Sequence, residues 1–385
     1  MLIGVDASRA FVKNRTGIEE YSYQVIKNLR DKLSGHQVVL YVRSSTNYEF
    51  YETTNLRIKN KETGEYLNFP ENWKVKVIRW TRFWTQIGLS LEMLLRPVDA
   101  LFIPAHTVPI IHPRKTIVTI HGLEYEFCPE AYSWWEKFYM RRVIKNSCRW
   151  ANKIISVSEN TKRDLVKLYG VSVDKIRVIY EGYNRNFQGE KKLKLKNLKF
   201  NSNFKFQISN LPYLLFIGRL EKRKNITGII KAFEILKEKY NISHKLILAG
   251  GEGYDYKNIK QQVLNSKYKK DIILTGFVSE NKKWELLKNA EVFLFPSFYE
   301  GFGLPILEAQ SAGMPVVAGD NSSIPEVAGS ALLVNSHNPK EIAEAAWKLI
   351  SDKDLRNDII EKGYKNIRRF SWEKCTREIA EILKR

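Results

Sequence analysis

The stretch that decides the fold is residues 296–313, which read PSFYEGFGLPILEAQSAG. It follows the apolar run 292–295, VFLF, which has the length and composition of a buried parallel strand. A loop with Gly301 and Gly303 comes next, and Pro305 then opens an apolar helix as a good first-turn residue. Glycines at a strand-to-helix turn let backbone N–H groups approach a ligand, and the helix N-terminus favours an anion. The stretch therefore predicts a ligand-binding turn in a parallel α/β sheet.

Two carboxylates lie eight residues apart in this stretch, Glu300 in the loop and Glu308 about one turn into the helix. We expect no intramolecular cation beside either of them. A carboxylate only accepts hydrogen bonds and can take two hydroxyl groups at once, which suits the vicinal diols of a sugar or a ribose. The alternative is that Glu300 caps the turn and Glu308 lies on a solvated helix face. The pair is a candidate for sugar binding, with that alternative open.

Length and composition indicate a globular protein of two domains. The chain has 385 residues, 44% of them hydrophobic and 12% aromatic. No run reaches the roughly 18 apolar residues that a spanning helix needs, and residues 1–6 resemble a strand rather than a signal peptide. The three cysteines are far apart and match no metal-ligand spacing, so we expect a reducing cytoplasm and no disulfide or zinc framework: Cys128, Cys148 and Cys375.

The net charge of +21 calls for an anionic partner. Nucleic acid, anionic lipid headgroups and phosphorylated small molecules all qualify, although no motif that reads DNA or RNA is present. Residues 191–199 hold five lysines and no acid, which indicates a solvated linker or, alternatively, an edge strand or a headgroup contact. Aromatic and basic residues mix at 80–84 and 134–142, where they suit a membrane interface or ordinary packing.

Strand-like apolar runs alternate with helical patterns along both halves of the chain, which predicts a mostly parallel, doubly wound sheet in each half. Helical spacing is clear at 18–29, 226–237 and 280–287. The strand-like runs are 2–5, 38–42, 75–78, 100–103, 116–120, 153–157, 213–217, 245–249, 272–275, 291–295, 315–318 and 331–334. The predicted boundaries are an N-terminal domain 1–188, a basic linker 189–211, a C-terminal domain 212–365 and a final helical segment 366–385.

A cluster of cations follows the strand 213–217. Arg219 comes directly after Gly218, the basic residues Lys222, Arg223 and Lys224 follow, and Asn225 can cap the next helix. Cations at a helix N-terminus oppose the helix dipole, so an anion that offsets them is a reasonable expectation. A diphosphate held by Arg219 and Lys224 fits, because doubly wound sheets bind ligands at the carboxyl ends of their strands. A solvent-facing basic loop is the alternative.

Two further strand ends carry candidate residues. Gly250, Gly251 and Gly253 follow the strand 245–249 without completing a dinucleotide fingerprint, and we interpret them as a loop that lies close to a nucleotide. His121 closes the strand 116–120, where it would contact a donor sugar or an acceptor hydroxyl, or else be a structural histidine.

Four features together resemble the retaining glycosyltransferases of family 4, the glycosyl transferases group 1. They are the Glu-x7-Glu of Glu300 and Glu308, Gly218-Arg219 with Lys224, the Gly-Glu-Gly at 251–253, and the ending Phe370-Ser371-Trp372. They occur in family order through the second half of the chain. The resemblance implies the GT-B architecture, an α/β fold with two Rossmann-like doubly wound domains facing across a cleft. The last helix would cross back onto the N-terminal domain.

The resemblance also implies individual roles. Arg219 and Lys224 would hold the donor diphosphate, Glu308 the ribose and Glu300 the sugar hydroxyls. The expected catalytic residues are Glu300, His121, Arg219 and Lys224. The loop near Phe277 and Val278 would face the base. The expected donor-binding residues besides those already named are Gly17, Gly218, Gly251, Gly253, Phe277, Val278, Phe302, Gly303 and Leu304. The chain departs from many relatives in its first loop, where Gly17 is the only glycine, and in Gly122, where bacterial relatives often have aspartate.

The implied activity is retaining transfer of a hexosyl group, without a metal ion or cofactor, from a nucleotide-diphosphate sugar. GDP-mannose is preferred over a UDP-sugar because the chain is similar to bacterial polysaccharide mannosyltransferases. The acceptor would be a saccharide or lipid-linked saccharide in cell-surface polysaccharide or lipopolysaccharide synthesis, at the cytoplasmic membrane face, with no nucleic-acid partner. Two alternatives stay open: a nucleotide-sugar epimerase of the same architecture, and a non-catalytic basic protein that binds nucleic acid or membrane.

Overall fold

A computed structural model describes residues 1–13, 15–44, 46–52, 55–183 and 211–385. The predicted basic linker, apart from residue 211, lies outside the described residues. The chain divides into two compact units. The first comprises Met1–Leu123, Trp134–Gly182 and Phe370–Arg385, and the second Glu124–Ser133 and Tyr183–Arg369. The units differ from the predicted domains at Glu124–Ser133, which belong to the second unit, and at the final segment of the first unit, which begins at Phe370 and not at residue 366.

The described strands and helices alternate along most of the chain. The strands are β1 Leu2–Asp6, β2 Gln37–Arg43, β3 Tyr48–Glu52, β4 Leu56–Asn60, β5 Tyr66–Asn68, β6 Trp73–Ile78, β7 Ala100–Ile103, β8 Lys115–Ile120, β9 Lys153–Ser156, β10 Ile176–Val178, β11 Tyr213–Ile217, β12 Lys245–Ala249, β13 Ile272–Gly276, β14 Val292–Phe295, β15 Val316–Gly319 and β16 Leu332–Val334. The α-helices are α1 Gly17–Leu29, α2 Ser90–Leu95, α3 Glu124–Phe127, α4 Trp134–Trp150, α5 Glu159–Tyr169, α6 Ile226–Tyr240, α7 Tyr256–Asn265, α8 Glu280–Asn289, α9 Leu304–Ser311, α10 Ile324–Ala328, α11 Pro339–Ser351, α12 Lys353–Asn366 and α13 Trp372–Lys384.

The first unit is built on a seven-stranded parallel sheet in the order β10-β9-β8-β7-β1-β2-β6. Its central strand β7 is a continuous apolar run and is fully buried, and every residue of β8 except Lys115 is buried, as expected for a sheet with helices on both faces. The helix α13 completes this unit: Ser371 caps it, and the Trp372 ring packs edge-on against Tyr21 of α1. The predicted parallel architecture is confirmed here.

The small sheet of β3, β4 and β5 is a feature that the sequence did not predict. Its strands are antiparallel and form a hairpin meander between β2 and β6. These strands leave about half of their residues exposed, and their Glu, Lys and Asn side chains break the apolar runs by which the other strands were recognised.

The second unit holds a six-stranded parallel sheet in the order β13-β12-β11-β14-β15-β16. The strand order reverses between β11 and β14. The chain adds β12 and β13 on one side of β11, and then adds β14, β15 and β16 on its other side. In doubly wound sheets ligands bind beyond the carboxyl ends of the strands at such a switch point. The loops 218–225 after β11 and 296–303 after β14 therefore lie side by side at the expected ligand-binding edge.

Candidate active site

Asn225 ties the two loops of the switch point together. It is the N-cap of α6, where its side-chain oxygen accepts a hydrogen bond from Gly228 N at 3.2 Å, as predicted. Its side-chain nitrogen donates to the carbonyls of Pro296 and Ser336, at 3.1 and 2.6 Å. Asn225 is buried, so each of these bonds is shielded from water. The loop 218–225 is thereby fixed against the loop 296–303.

Glu300 lies in a cluster of buried charges between these loops. Its Oε1 is 2.5 Å from Lys224 Nζ, and its Oε2 is 3.2 Å from Arg223 Nη1. The Arg223 guanidinium also donates to the Tyr299 carbonyl at 2.9 Å and to Glu221 at 2.7 Å. The expectation that no cation stands beside Glu300 is wrong, because both cations come from the neighbouring strand's loop, far away in sequence.

The charges of this cluster shift one another's pKa values, and Glu300 is held in its ionised form. Burial by itself would raise the pKa of Glu300, but Lys224 and Arg223 outweigh it and the pKa lies below its usual value. Burial, together with the nearby Arg223, lowers the pKa of Lys224, although Glu300 opposes this. A buried carboxylate that stays charged keeps lone pairs for hydroxyl donors, as sugar binding requires.

Glu308 is also paired with a cation. Its Oε1 lies 2.7 Å from Lys283 Nζ, which is contributed by α8, and the two side chains are only 15% and 14% exposed. Burial opposes the charge of Lys283, yet Glu308 and Glu280 raise its pKa above the usual value. The expectation of no cation beside Glu308 is therefore wrong as well. Glu308 also lies in a partly buried position, and not on a freely solvated helix face.

The turn before α9 combines a left-handed glycine with a proline in the first helical turn. Gly303 has φ 115°, a left-handed conformation that glycine adopts without strain, and Pro305 lies in the first turn of α9. The Ser323 hydroxyl donates to the carbonyls of Glu300 and Phe302, both at 2.9 Å, which fixes the loop. The first amides of a helix have no acceptor within it, so this end suits an anion.

Comparisons with known proteins agree with this geometry. The family described as Glycosyltransferase Family 4 matches residues 15–187, and Glycosyl transferases group 1 matches residues 199–366. The O-antigen chain mannosyltransferase B of Escherichia coli is 30% identical over 272 residues, 70% of each chain. The chain belongs to glycosyltransferase family 4. The O-antigen chain mannosyltransferase RfbU of Salmonella typhimurium is 23% identical to this glycosyltransferase over 300 residues, 78% of this chain and 77% of the relative.

A solved structure supports the fold. Anabaena HepE, in complex with UDP and glucose, covers 100% of this chain and 99% of its own, with a TM-score of 0.71 and 16% identity. The predicted GT-B fold class, with two Rossmann-like domains, is confirmed by this likeness and by the two family matches.

Arg219 and the Gly-Glu-Gly loop lie side by side in the glycosyltransferase. The amide of Leu220 donates to the Gly251 carbonyl at 2.9 Å, and the amide of Gly253 donates to the Leu220 carbonyl at 3.1 Å. A Cβ at Gly253 would lie 2.7 Å from the Arg219 side chain, whereas one at Gly251 would meet no atom within 4 Å. The structure thus brings the Arg219 side chain next to Gly253, and Gly251 in the same loop faces open space.

Exchanging Gly250 for alanine is expected to destabilise the glycosyltransferase by about 3 kcal/mol or more. Gly250 has φ 149°, and an added Cβ would overlap the Gly218 carbonyl oxygen. Gly251→Ala is the matched control, since its Cβ points into open space and its stability should change by less than about 0.5 kcal/mol. Thermal unfolding of the two variants checks this, and equal losses would contradict it. If the open space receives a nucleotide, Gly251→Ala weakens donor binding.

Phe277 and Val278, the residues expected to face the base, follow β13 at the same edge of the sheet. Phe277 is 63% exposed, and Val278 is partly buried against the core. An exposed aromatic ring beside the Gly-Glu-Gly loop suits stacking on a base. The assignment to the base stays a prediction.

His121 and Gly17 lie in the first unit. The Nδ1 of His121 is 3.2 Å from Glu181 Oε1, and its Nε2 is 2.8 Å from the Pro104 carbonyl oxygen. The Tyr21 ring packs edge-on against it at 4.6 Å. Both ring nitrogens have partners inside the unit, so the geometry is that of a positioned histidine. A catalytic role for His121 and donor binding by Gly17, the first residue of α1, stay predictions.

Three contributors to the site were missed by sequence reasoning. Arg223 was recognised as one of three basic residues but not as the clamp on Glu300, and Lys283 was not singled out. The third is Phe127 in the segment Glu124–Ser133, whose ring stacks on Tyr299 with centroids 4.6 Å apart and planes 9° from parallel. Of the three, Arg223 could have been identified from the sequence, because it belongs to the basic cluster that follows the strand 213–217.

No group of three or more His, Cys, Asp or Glu side chains within the described ranges is arranged to hold a metal ion. The three cysteines are buried and free. None of the helices in the described part of the chain has both the length and the apolar character to cross a membrane.

Proposed function

We propose that this glycosyltransferase moves a hexosyl group from a nucleotide-diphosphate sugar to a saccharide hydroxyl, with retention of anomeric configuration. The observation that carries the proposal is Glu300, held ionised by Lys224 and Arg223 at the switch point of the second unit. An acceptor-only carboxylate beside an ammonium group suits a ligand with hydroxyls at one end and a diphosphate at the other. A nucleotide sugar has this chemistry.

Each residue of the cluster has a part in the proposed reaction. The Lys224 ammonium group has three N–H donors and donates one hydrogen bond to Glu300, so its other two N–H groups would be available to the diphosphate. Arg219, which is exposed on the same loop, would contact the diphosphate from its outer side. Glu308 would accept from the ribose while it remains paired with Lys283, because a carboxylate accepts several hydrogen bonds. Glu300 would orient the sugar through its hydroxyls.

The proposed step breaks the bond between the anomeric carbon and the diphosphate oxygen and forms a bond from that carbon to the acceptor oxygen. The acceptor proton passes to the departing phosphate on the same face of the sugar, which preserves the configuration. Lys224, Arg219 and the N-terminus of α9 would stabilise the negative charge that develops on the diphosphate. These groups supply the positive charge themselves, so we propose a metal-independent reaction, in which EDTA leaves the rate unchanged.

Mannose from GDP-mannose is the donor we propose, because two relatives are named as O-antigen chain mannosyltransferases. A UDP-sugar is the second candidate, since the HepE structure contains UDP and glucose. The acceptor would then be a saccharide of a cell-surface polysaccharide, carried on a lipid.

A thermal-shift panel with GDP, UDP, ADP, TDP and their sugar conjugates tests the donor. A ligand at a hundred times its Kd adds about 2.7 kcal/mol to the free energy of unfolding, so a true donor is recognisable. Proton NMR of the product then shows whether the anomeric configuration is retained. Inversion would overturn the mechanism, and a sugar product formed without any acceptor would favour the epimerase alternative.

We expect Glu308→Gln to raise the donor KM by roughly tenfold to a hundredfold and to change kcat little. Hydrogen bonds to a charged acceptor contribute about 1.5–3 kcal/mol, and the amide retains only a neutral oxygen. Lys283→Met is the matched control, because it removes the same ion pair and leaves the carboxylate in place. If Glu308 only stabilises the fold through Lys283, both variants will lose similar stability and neither will change donor affinity.

A further inference from the structure

The helix α4 is buried only in its second half and exposes aromatic side chains along its first half. Its buried residues are Ile144, Ser147 and Cys148. On the opposite side, four aromatic side chains cover the first two turns and are 63%, 69%, 53% and 49% exposed: Trp134, Trp135, Phe138 and Tyr139. Their spacing of i, i+1, i+4 and i+5 places them on one stripe of the helix. We call this stripe, with the basic residues that continue it, the outer face of α4.

Aromatic side chains of this size are rarely left in water as a group. The Trp134 ring centroid lies 4.2 Å from that of Trp135 and 6.1 Å from that of Phe138, so these three exposed rings form one continuous surface. An ordinary surface helix is apolar towards the core and polar on the other side. A contiguous exposed apolar patch marks an interaction site. The outer face of α4 has the composition of such a site.

Cations continue the same stripe towards the C-terminal end of α4. Arg142, Lys145 and Arg149 are exposed and follow Phe138 at helical spacings of three and four residues. The face is therefore aromatic over its first half and basic over its second half. Trp and Tyr favour the headgroup level of a bilayer, and basic residues favour its anionic surface.

A second exposed apolar group lies in the same layer of the first unit. The crossovers that contain α2 and α4 run in the same direction across the sheet, and right-handed crossovers then place both helices on one face. The loop 107–112 contacts both helices, because the amide of Val108 donates to the Ser147 hydroxyl of α4 and the amide of Ile110 donates to the Ser90 hydroxyl of α2. The exposed side chains of this group are Leu91, Leu94, Leu95, Ile110 and Ile111.

We propose that the outer face of α4 docks the glycosyltransferase on an anionic phospholipid surface. The rings of Trp134, Trp135 and Phe138 enter the headgroup layer, and Arg142, Lys145 and Arg149 pair with lipid phosphates. Neither the aromatic stripe nor its cations belong to the donor site in the second unit. The inference thus goes beyond the proposed function, although a lipid-carried acceptor would give it a purpose.

Flotation of the full-length protein with vesicles tests the proposal. The vesicles are phosphatidylcholine alone, or phosphatidylcholine mixed with phosphatidylglycerol, at low and at high salt. One variant carries Trp134→Ser, Trp135→Ser and Phe138→Ser, and a second carries Arg142→Ser and Lys145→Ser. The control carries Tyr51→Ser and Tyr66→Ser, which removes two aromatics of the same unit that are 42% and 48% exposed.

We expect the wild type and the control to bind the anionic vesicles at low salt and to leave them at high salt. The basic variant should bind about fivefold more weakly for each cation removed, and the aromatic variant should lose binding also to vesicles that retain the charge. Thermal shifts with the nucleotide panel should be the same in all variants, which separates this result from the donor assignment.

Equal binding of the α4 variants and the control would overturn the proposal, as would absence of wild-type binding. Light scattering detects another occupant: a dimer that the aromatic substitutions dissociate, without vesicle binding, would assign the face to a second copy of the chain. A thermal unfolding midpoint equal to that of the wild type shows, for each variant, that lost binding does not arise from misfolding.

Discussion

Replacing Glu300 by glutamine is expected to lower kcat by about a hundredfold to a thousandfold. The carboxylate is buried and paired with Lys224 and Arg223, and it would orient the sugar while the ammonium group of Lys224 meets the diphosphate. Glutamine has nearly the same shape but no charge, so the two cations would lose their shared counter-ion. Initial rates at saturating donor and acceptor measure the effect on kcat.

The same substitution should also reduce stability. Removing one member of a buried ion pair leaves an uncompensated charge and typically costs about 3–5 kcal/mol. Here Lys224 and Arg223 would both be left beside a neutral amide. The thermal unfolding midpoint without ligand should therefore fall well below that of the wild type. A variant with wild-type stability and turnover would contradict both the ion-pair role and the catalytic role of Glu300.

The pH dependence of stability provides an independent check. The pKa of Glu300 is lower in the folded chain than its unfolded value of 4.5, so its contribution to stability is complete above that value. The contribution is lost as the pH falls below 4.5 towards the folded pKa, where the carboxyl group becomes protonated. Glu300→Gln cannot titrate, so its stability should show less acid dependence than that of the wild type in this range.

Much of the fold follows from simple features of the sequence. The strands β7, β11 and β12 coincide with the predicted runs because strands buried on both faces are continuous apolar segments. The small sheet of β3 to β5 was missed because half-exposed antiparallel strands with charged residues do not produce such runs. Local composition thus identifies buried strands and fails for exposed ones.

The candidate site could be located but not assembled from the sequence. Lys224 precedes Glu300 by 76 residues, and Lys283 precedes Glu308 by 25 residues, so sequence proximity indicates neither pair. The sheet order brings the first pair together, because β11 and β14 are adjacent and their loops meet at one edge. Side-chain pairing depends on that order, which no single strand reveals.

Lys224→Met is expected to reduce kcat by about a hundredfold to a thousandfold as well, but with a smaller loss of stability than Glu300→Gln. The reason is an asymmetry of the cluster. When Lys224 is removed, Glu300 keeps the Arg223 guanidinium at 3.2 Å, and the cost of burying the ammonium group disappears. When Glu300 is removed, Lys224 loses this ion pair and Arg223 keeps only its pair with Glu221 among the two carboxylates that it contacts. Kinetics and thermal unfolding of the two variants measure the difference.

The double variant Lys224→Met/Glu300→Gln separates the structural part of Lys224 from its catalytic part. Because the two side chains are in contact, their effects on stability should be coupled by about 0.5–3 kcal/mol. If Lys224 acts on the diphosphate, its loss lowers kcat even where stability is nearly unchanged. Lys224→Arg should not restore the rate, because the Lys224 side chain is only 12% exposed and a planar guanidinium needs more space than an ammonium group. If Lys224 only holds Glu300, the loss of kcat will parallel the loss of stability in Lys224→Met, Glu300→Gln and the double variant. Arg223 would then be the cation to test against the diphosphate.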